Sequence, residues 1–127
     1  MTPTPRIPII YVAGPYRGKN PLAVKRNIRD AQEVGVSVMQ VGGFPLVPHA
    51  NTEYMDGAFP DDFFLDGDLA MLAKCDAIVM TPRFYESVGA MNEREFAKDR
   101  GIPCFEWPVD AITLHSWVVN FKNATPS

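Results

Sequence analysis

Short apolar runs alternate along this chain with longer stretches in which apolar residues recur every three or four positions. The first run, residues 7–13 (Ile-Pro-Ile-Ile-Tyr-Val-Ala), stops at Gly14-Pro15 and reads as a buried strand. Asn20-Pro21 then opens a helix: Asn caps well, and Pro at the first helical position loses no needed N–H. Val24, Ile28, Ala31, Gly35 and Val38 give that helix one apolar face, and Gly42-Gly43 ends it. Phe44 to Pro48 is a second strand, followed by a polar loop from His49 to Pro60. Asp61 and Asp62 suit a helix start by capping and by charge, and Leu65, Leu69 and Leu72 carry the helical period onward. Ala77–Met80 is a third buried strand, residues 82–88 a loop, and residues 89–100 a helix stopped by Gly101. Ile102 to Trp107 is a fourth strand, and residues 110–122, after Pro108, form a last helix.

The order β-α-β-α-β-α-β-α predicts an α/β fold, a parallel sheet with helices on both faces. One domain over 7–123 is expected, with loose tails at 1–6 and 124–127. Ligands of such sheets bind beyond the carboxyl ends of the strands. That rule singles out the loops 14–20, 49–60 and 82–89.

Composition narrows the class. The chain has 127 residues, 46% hydrophobic and 21% charged, which is ordinary for a globular domain. A formal net charge of -3 disfavours a non-specific binder of nucleic-acid polymers. No apolar run reaches the roughly 20 residues of a membrane span, and the N-terminus lacks a signal-peptide core, so a cytoplasmic protein is expected. Cys75 and Cys104 are too few for a disulfide framework or a cysteine-rich metal site and suit small buried thiols.

Two carboxylates stand on faces where the pattern is apolar. Glu93 falls between Ala90 and Ala97 at helical spacing, and Asp68 lies three after Leu65 and four before Leu72. A solvent-facing charge is the ordinary fate of any single helical carboxylate. Two that point inward on successive helices are costly unless paired or used. Such a pair suits glycosyl transfer, in which one carboxylate attacks the anomeric carbon and the other helps protonate the leaving group. Glu93 lies near a helix N-terminus, which should favour its ionised form, and the two groups should share protons.

Gly14-Pro15-Tyr16-Arg17-Gly18-Lys19 joins the first strand to the first helix. Its glycines let backbone approach a ligand, and Arg17 can grip an anion with two N–H groups. It is neither a Walker loop nor a dinucleotide fingerprint, and a plain Gly-Pro turn with a solvated Arg fits as well. Ser87-Val88-Gly89 opens the next helix but one, where Ser87 offers a hydroxyl to the same anion or simply caps the helix.

Taken together these residues resemble the nucleoside 2-deoxyribosyltransferase family over about residues 8–108. Gly89, Glu93 and Ala97 keep the spacing of that family's nucleophile motif, followed by Gly101 and Pro103. Asp68 stands eight before Asp76, as a second family Asp does, and Tyr11 precedes a Gly-rich loop at Gly14. The resemblance implies a Rossmann-like or flavodoxin-like three-layer sandwich with a parallel sheet of four to five strands. It implies Glu93 as nucleophile, Asp68 as its acid or orienting partner, and Tyr11 packed on the sugar and orienting Glu93, with a preference for 2′-deoxyribose.

Within that family the sequence looks like the nucleoside 5′-monophosphate N-hydrolases. Ser87 stands six before Glu93, where the nucleoside transferases carry an acid that meets the free 5′-hydroxyl. A hydroxyl donates to a phosphate where a carboxylate would repel it. Arg17-Gly18 matches an Arg-Gly pair of the hydrolase loop, so that Gly14, Tyr16, Arg17, Gly18, Ser87 and Gly89 become the implied phosphate and sugar contacts. Ser116 is the nearest match for a serine that the neighbouring subunit donates in that branch. Pro15 departs from the hydrolase pattern, which has a serine there, and the loop from His49 to Pro60 has no counterpart. Uncharacterised phage-borne relatives share a Gly-Pro-Tyr-Arg-Gly loop.

The implied activity is hydrolysis of the base–sugar bond of a (deoxy)nucleoside 5′-monophosphate by a homo-oligomer, without metal or organic cofactor. Base exchange between nucleosides and an idle nucleotide-binding module are the alternatives. His49 and Asn51 are the expected base contacts; His49 has no neighbours at metal-ligand spacing. Phe59, Phe63 and Phe64 either cover the base or pack in the core, while His115 and Trp117 suit core or subunit contacts.

Overall fold

The computed structural model describes residues 2–55 and 57–124; Met1 and the end of the C-terminal tail, 125–127, lie outside them. Four strands, β1 (Ile9–Ala13), β2 (Phe44–Leu46), β3 (Ala77–Met80) and β4 (Cys104–Glu106), form one parallel sheet in the order β2-β1-β3-β4. The helices are α1 (Pro21–Gln40), α2 (Pro48–Asn51), α3 (Asp61–Leu72), α4 (Val88–Asp99) and α5 (Ala111–Asn123). Ile10 and Val12 of β1 and Val79 of β3 pack with Ala31, Val34 and Val38 of α1 and Leu114 and Val118 of α5. Tyr11 and Ala13 of β1 and Ile78 and Met80 of β3 pack with Leu72, Ala90 and Ala97 on the other side. The expected α/β three-layer sandwich is therefore what forms, because both faces of β1 and β3 are apolar and both are covered.

Sheet register is fixed at the start of β1. The Ile9 N–H donates to the Asp76 carboxylate at 2.8 Å, and the Asp76 N–H donates to the Ile9 carbonyl at 2.8 Å. Tyr11 then lies between Leu46 of β2 and Ile78 of β3. Strand order reverses at β1 and β3, so their carboxyl ends open the crevice where sheets of this kind bind ligands.

Several expected boundaries move by one or two residues. The polar loop after β2 contains the short helix α2, and the loop 82–88 contains a 3-10 turn at Phe84–Glu86. Neither is long enough to show an apolar period. Asn20 caps α1 as expected, accepting from the Ala23 N–H at 2.9 Å. Asp61 and Asp62 do not cap α3; they lie in its first turn, behind Pro60, where they complement the helix dipole. The expected stripe of α3 also splits: Leu72 is fully buried, whereas Leu65 is exposed and faces the crevice. Arg6, in the segment expected to be loose, donates to the Phe121 carbonyl at 2.8 Å and stacks on its ring.

Gly14 ends β1 against Thr81, which is buried at the end of β3. A Cβ at Gly14 would sit 2.2 Å from Thr81 Oγ1 and 2.8 Å from its Cγ2. Gly14→Ala should therefore cost about 1–3 kcal/mol by overpacking. Thr81→Ala in the same chain should recover part of that loss, so denaturant unfolding of the two single variants and the double variant should give a clearly non-additive cycle.

Candidate active site

Glu93 sits on the inner side of α4, in its second turn, and its Oε2 accepts a hydrogen bond from the Tyr11 hydroxyl. Tyr11 is fully buried in the middle of β1, so the bond ties the central strand to α4. Asp68, on α3, lies close enough to raise the pKa of both. Burial pushes the Glu93 carboxyl from its ordinary 4.5 up to about 7, with the Tyr11 hydrogen bond opposing and Asp68 adding to the rise. Burial likewise lifts Asp68 to about 6. Tyr11 is held well above its ordinary value, first by burial and then by the Glu93 charge, so it stays a hydrogen-bond donor. The helix N-terminus was expected to favour ionised Glu93. Six residues into α4 the dipole has faded, and desolvation wins.

These carboxyls line a cleft of about 700 Å³ together with the β1–α1 loop, α2, α3 and the start of α4. Gly14, Tyr16, Arg17, Ser87 and Gly89 all line it. Ser87 caps α4, accepting from the Ala90 N–H at 3.1 Å, which leaves its own O–H free to donate elsewhere. A Cβ on Gly89 would meet nothing closer than Ser87 Oγ at 3.7 Å, so its bareness keeps the cleft wall open. Gly18 is not in the wall. It makes room for Ala23, whose Cβ would lie 2.5 Å from a Cβ at Gly18.

Asn27, which carries no motif, proves to be the residue that shapes the first loop. Buried on α1, it donates to the carbonyls of Tyr16 and Arg17 at 3.1 and 3.2 Å and accepts from Arg83 at 3.3 Å. Its only sequence signal was a polar residue beside Ile28 on an otherwise apolar face.

His49 is buried beside the Tyr16 ring, with centroids 5.2 Å apart, and it lines the cleft. Burial lowers its pKa to about 4, so it is neutral at physiological pH. Asn51 is exposed and is not part of the cleft wall, which Thr52, the next residue, lines. Phe64 lines the cleft, whereas Phe59 and Phe63 are exposed rather than core residues. Ser116 is exposed on α5, the helix whose buried residues pack on the opposite face of the sheet, and it does not reach the cleft of its own chain. Among the described residues no cluster of three His, Cys, Asp or Glu side chains is placed to hold a metal ion. No described helix is long and apolar enough to cross a membrane.

Residues 8–106, from β1 through β4, match the protein family described as Domain of unknown function (DUF7768). The chain belongs to that family. No curated protein matches this DUF7768 sequence. Its fold is similar to that of a solved 2-deoxyribosyltransferase from the psychrotolerant bacterium Bacillus psychrosaccharolyticus, with a TM-score of 0.60 at 16% identity. The likeness covers 77% of this chain and 70% of the other, and at that identity it speaks for the fold.

The raised pKa of Glu93 has a consequence for stability. Its proton is held more tightly in the folded chain than in an unfolded one, so stability falls as pH climbs from about 4.5 towards 7. Glu93→Gln keeps an acceptor for Tyr11 without the charge. Thermal melts at pH 8 should show this variant more stable than the parent by about 1–3 kcal/mol, with the gap closing towards pH 4.5.

Proposed function

We propose that this protein is an N-glycosidase that cleaves the base from a (deoxy)nucleoside 5′-monophosphate. The observation that carries the reading is the buried Tyr11–Glu93 hydrogen bond at the cleft, with Asp68 beside it. A desolvated carboxylate held by one oxygen is a preorganised nucleophile. Tyr11 holds Oε2, which leaves Oε1 to attack the anomeric carbon. As that C–O bond forms, the C–N bond breaks and its electron pair leaves with the base, which takes up a proton from Asp68 or water. Water then adds to the anomeric carbon, frees Glu93 and gives its proton to the carboxyl pair. Products are the free base and the sugar phosphate. Arg17, the Ser87 hydroxyl and the backbone at Gly89 are the phosphate contacts of this reading. His49, Tyr16 and Phe64 form the apolar, neutral wall against which a base would pack. Ser116 would enter only from a second copy in a homo-oligomer.

One observation favours a second reading. Asp61, Asp66, Asp68, Glu86 and Glu93 all line the cleft, against Arg17 among the described cations. Such a balance tolerates an uncharged 5′-hydroxyl better than a phosphate, and a free base in place of water would then make the enzyme a deoxyribosyltransferase.

A panel of nucleosides and 5′-monophosphates, in ribo and deoxy form for each base, should release free base from a deoxynucleoside monophosphate. Release only from free nucleosides, with exchange when a second base is added, selects the transferase. Glu93→Ala should lower kcat by about 10³-fold or more. Unchanged turnover in that variant would sink both readings.

The pH profile follows from the same pair. The pair holds one proton between about 6, for Asp68, and about 7, for Glu93; the reactive form is the minor one with that proton on Asp68, so kcat/KM is bell-shaped with its maximum between those values. Tyr11→Phe removes the bond that favours ionised Glu93, so it should move the Glu93 limb upward while lowering the maximum.

A further inference from the structure

Arg17 is the cation that lines the cleft among the described residues, and it is already engaged. Its guanidinium meets the Asp61 carboxylate at 2.6 Å. The two partners come from different walls: Arg17 rides on the loop after β1, and Asp61 is the first residue of α3. Their side chains are 72% and 70% exposed, so the pair exchanges readily with competing anions. Asn27 pins the backbone of this loop at the carbonyls of residues 16 and 17, which confines the freedom of Arg17 to its side chain. The guanidinium can therefore turn from Asp61 to a ligand without the loop being rebuilt.

We propose that Asp61 is an internal competitor for the anion subsite: its carboxylate holds Arg17 and yields it to a stronger anionic group on the incoming substrate. This rests on the nucleotide reading above. A phosphate dianion accepts two parallel N–H bonds from a guanidinium and carries more charge than a carboxylate, so it displaces Asp61. A nucleoside offers no such competitor and leaves the pair closed. Asp61 thus sets how strong an anion must be to use this site. It also bridges the mouth until that anion arrives.

The test measures binding by calorimetry in the full chain carrying Glu93→Gln, which prevents turnover. The ligands are a deoxynucleoside 5′-monophosphate, the matching nucleoside and inorganic phosphate. Asp61→Asn should tighten the monophosphate and inorganic phosphate by about two- to fivefold and leave the nucleoside unchanged. Asp66→Asn makes the same charge change in the same cleft wall without touching Arg17, and its effect should be clearly smaller. Equal effects of the two variants, or weaker phosphate binding in Asp61→Asn, would overturn the proposal. Arg17→Ala separates the two levels of the argument. If it weakens monophosphate binding about tenfold while Asp61→Asn behaves like Asp66→Asn, only the role of Asp61 falls. If Arg17→Ala leaves monophosphate binding unchanged, the phosphate reading falls with it.

Discussion

The union of β1 with α4 at the carboxyl side of this sheet depends on one part-buried hydrogen bond, from the phenol of Tyr11 to the carboxylate of Glu93. A carboxylate in an apolar layer is a liability, because removing its charge from water costs several kcal/mol unless something compensates. The central strand supplies that compensation from a residue that cannot itself ionise in the physiological range. The same contact fixes the rotation of α4 about its axis, which places Ala90 and Ala97 on the sheet and Ser87 and Gly89 in the cleft wall. Packing and chemistry are thus satisfied by a single geometry.

Buried polar groups organise the rest of the site in the same manner. Asn27 anchors two loop carbonyls and meets Arg83, which also pairs with Asp30 at 3.0 Å and with Glu86 at 3.5 Å. The first loop, the first helix and the segment after β3 are joined through one amide and one guanidinium. A second, smaller hollow of about 360 Å³ lies behind this junction, lined by Asn27, Asp30, Arg83 and Trp107 among others. Three of its polar residues, Asn27, Asp30 and Arg83, are bonded within this junction.

Much of this was legible in the sequence, and the reasons are particular. β1, β2 and β4 are short runs next to Gly or Pro, β3 is a continuous apolar run, and α1 has its cap and its apolar face, so local signals agreed with the fold. Glu93 and Asp68 betrayed themselves by standing on apolar faces, and the structure brings both to the cleft. Tyr11 was singled out by the family resemblance alone, because its contact with Glu93 spans 82 residues and no local pattern encodes it. Asn27 was hidden for the same reason: its partners are backbone atoms of another segment. Thr52 rather than Asn51 lines the cleft, where the short helix α2 turns the chain in a stretch read as a loop. The upward shift of the Glu93 pKa was not legible, because helix position was visible and burial was not.

The alternation along β1 carries a further meaning. Ile10 and Val12 face one helical layer, Tyr11 and Ala13 the other, and both layers accept apolar side chains. A strand with two greasy faces is nearly indifferent to which residue points which way. Hydrophobicity alone therefore does not defend this register. The polar ties do, at Asp76 where the strand begins and at Glu93 in its middle. A one-residue insertion or deletion inside β1 would leave oily side chains on both layers while turning the phenol to the wrong side of the sheet. Such a lesion would force a bulky ring into a layer packed for aliphatic side chains, and it would strip the part-buried acid of its donor from the central strand.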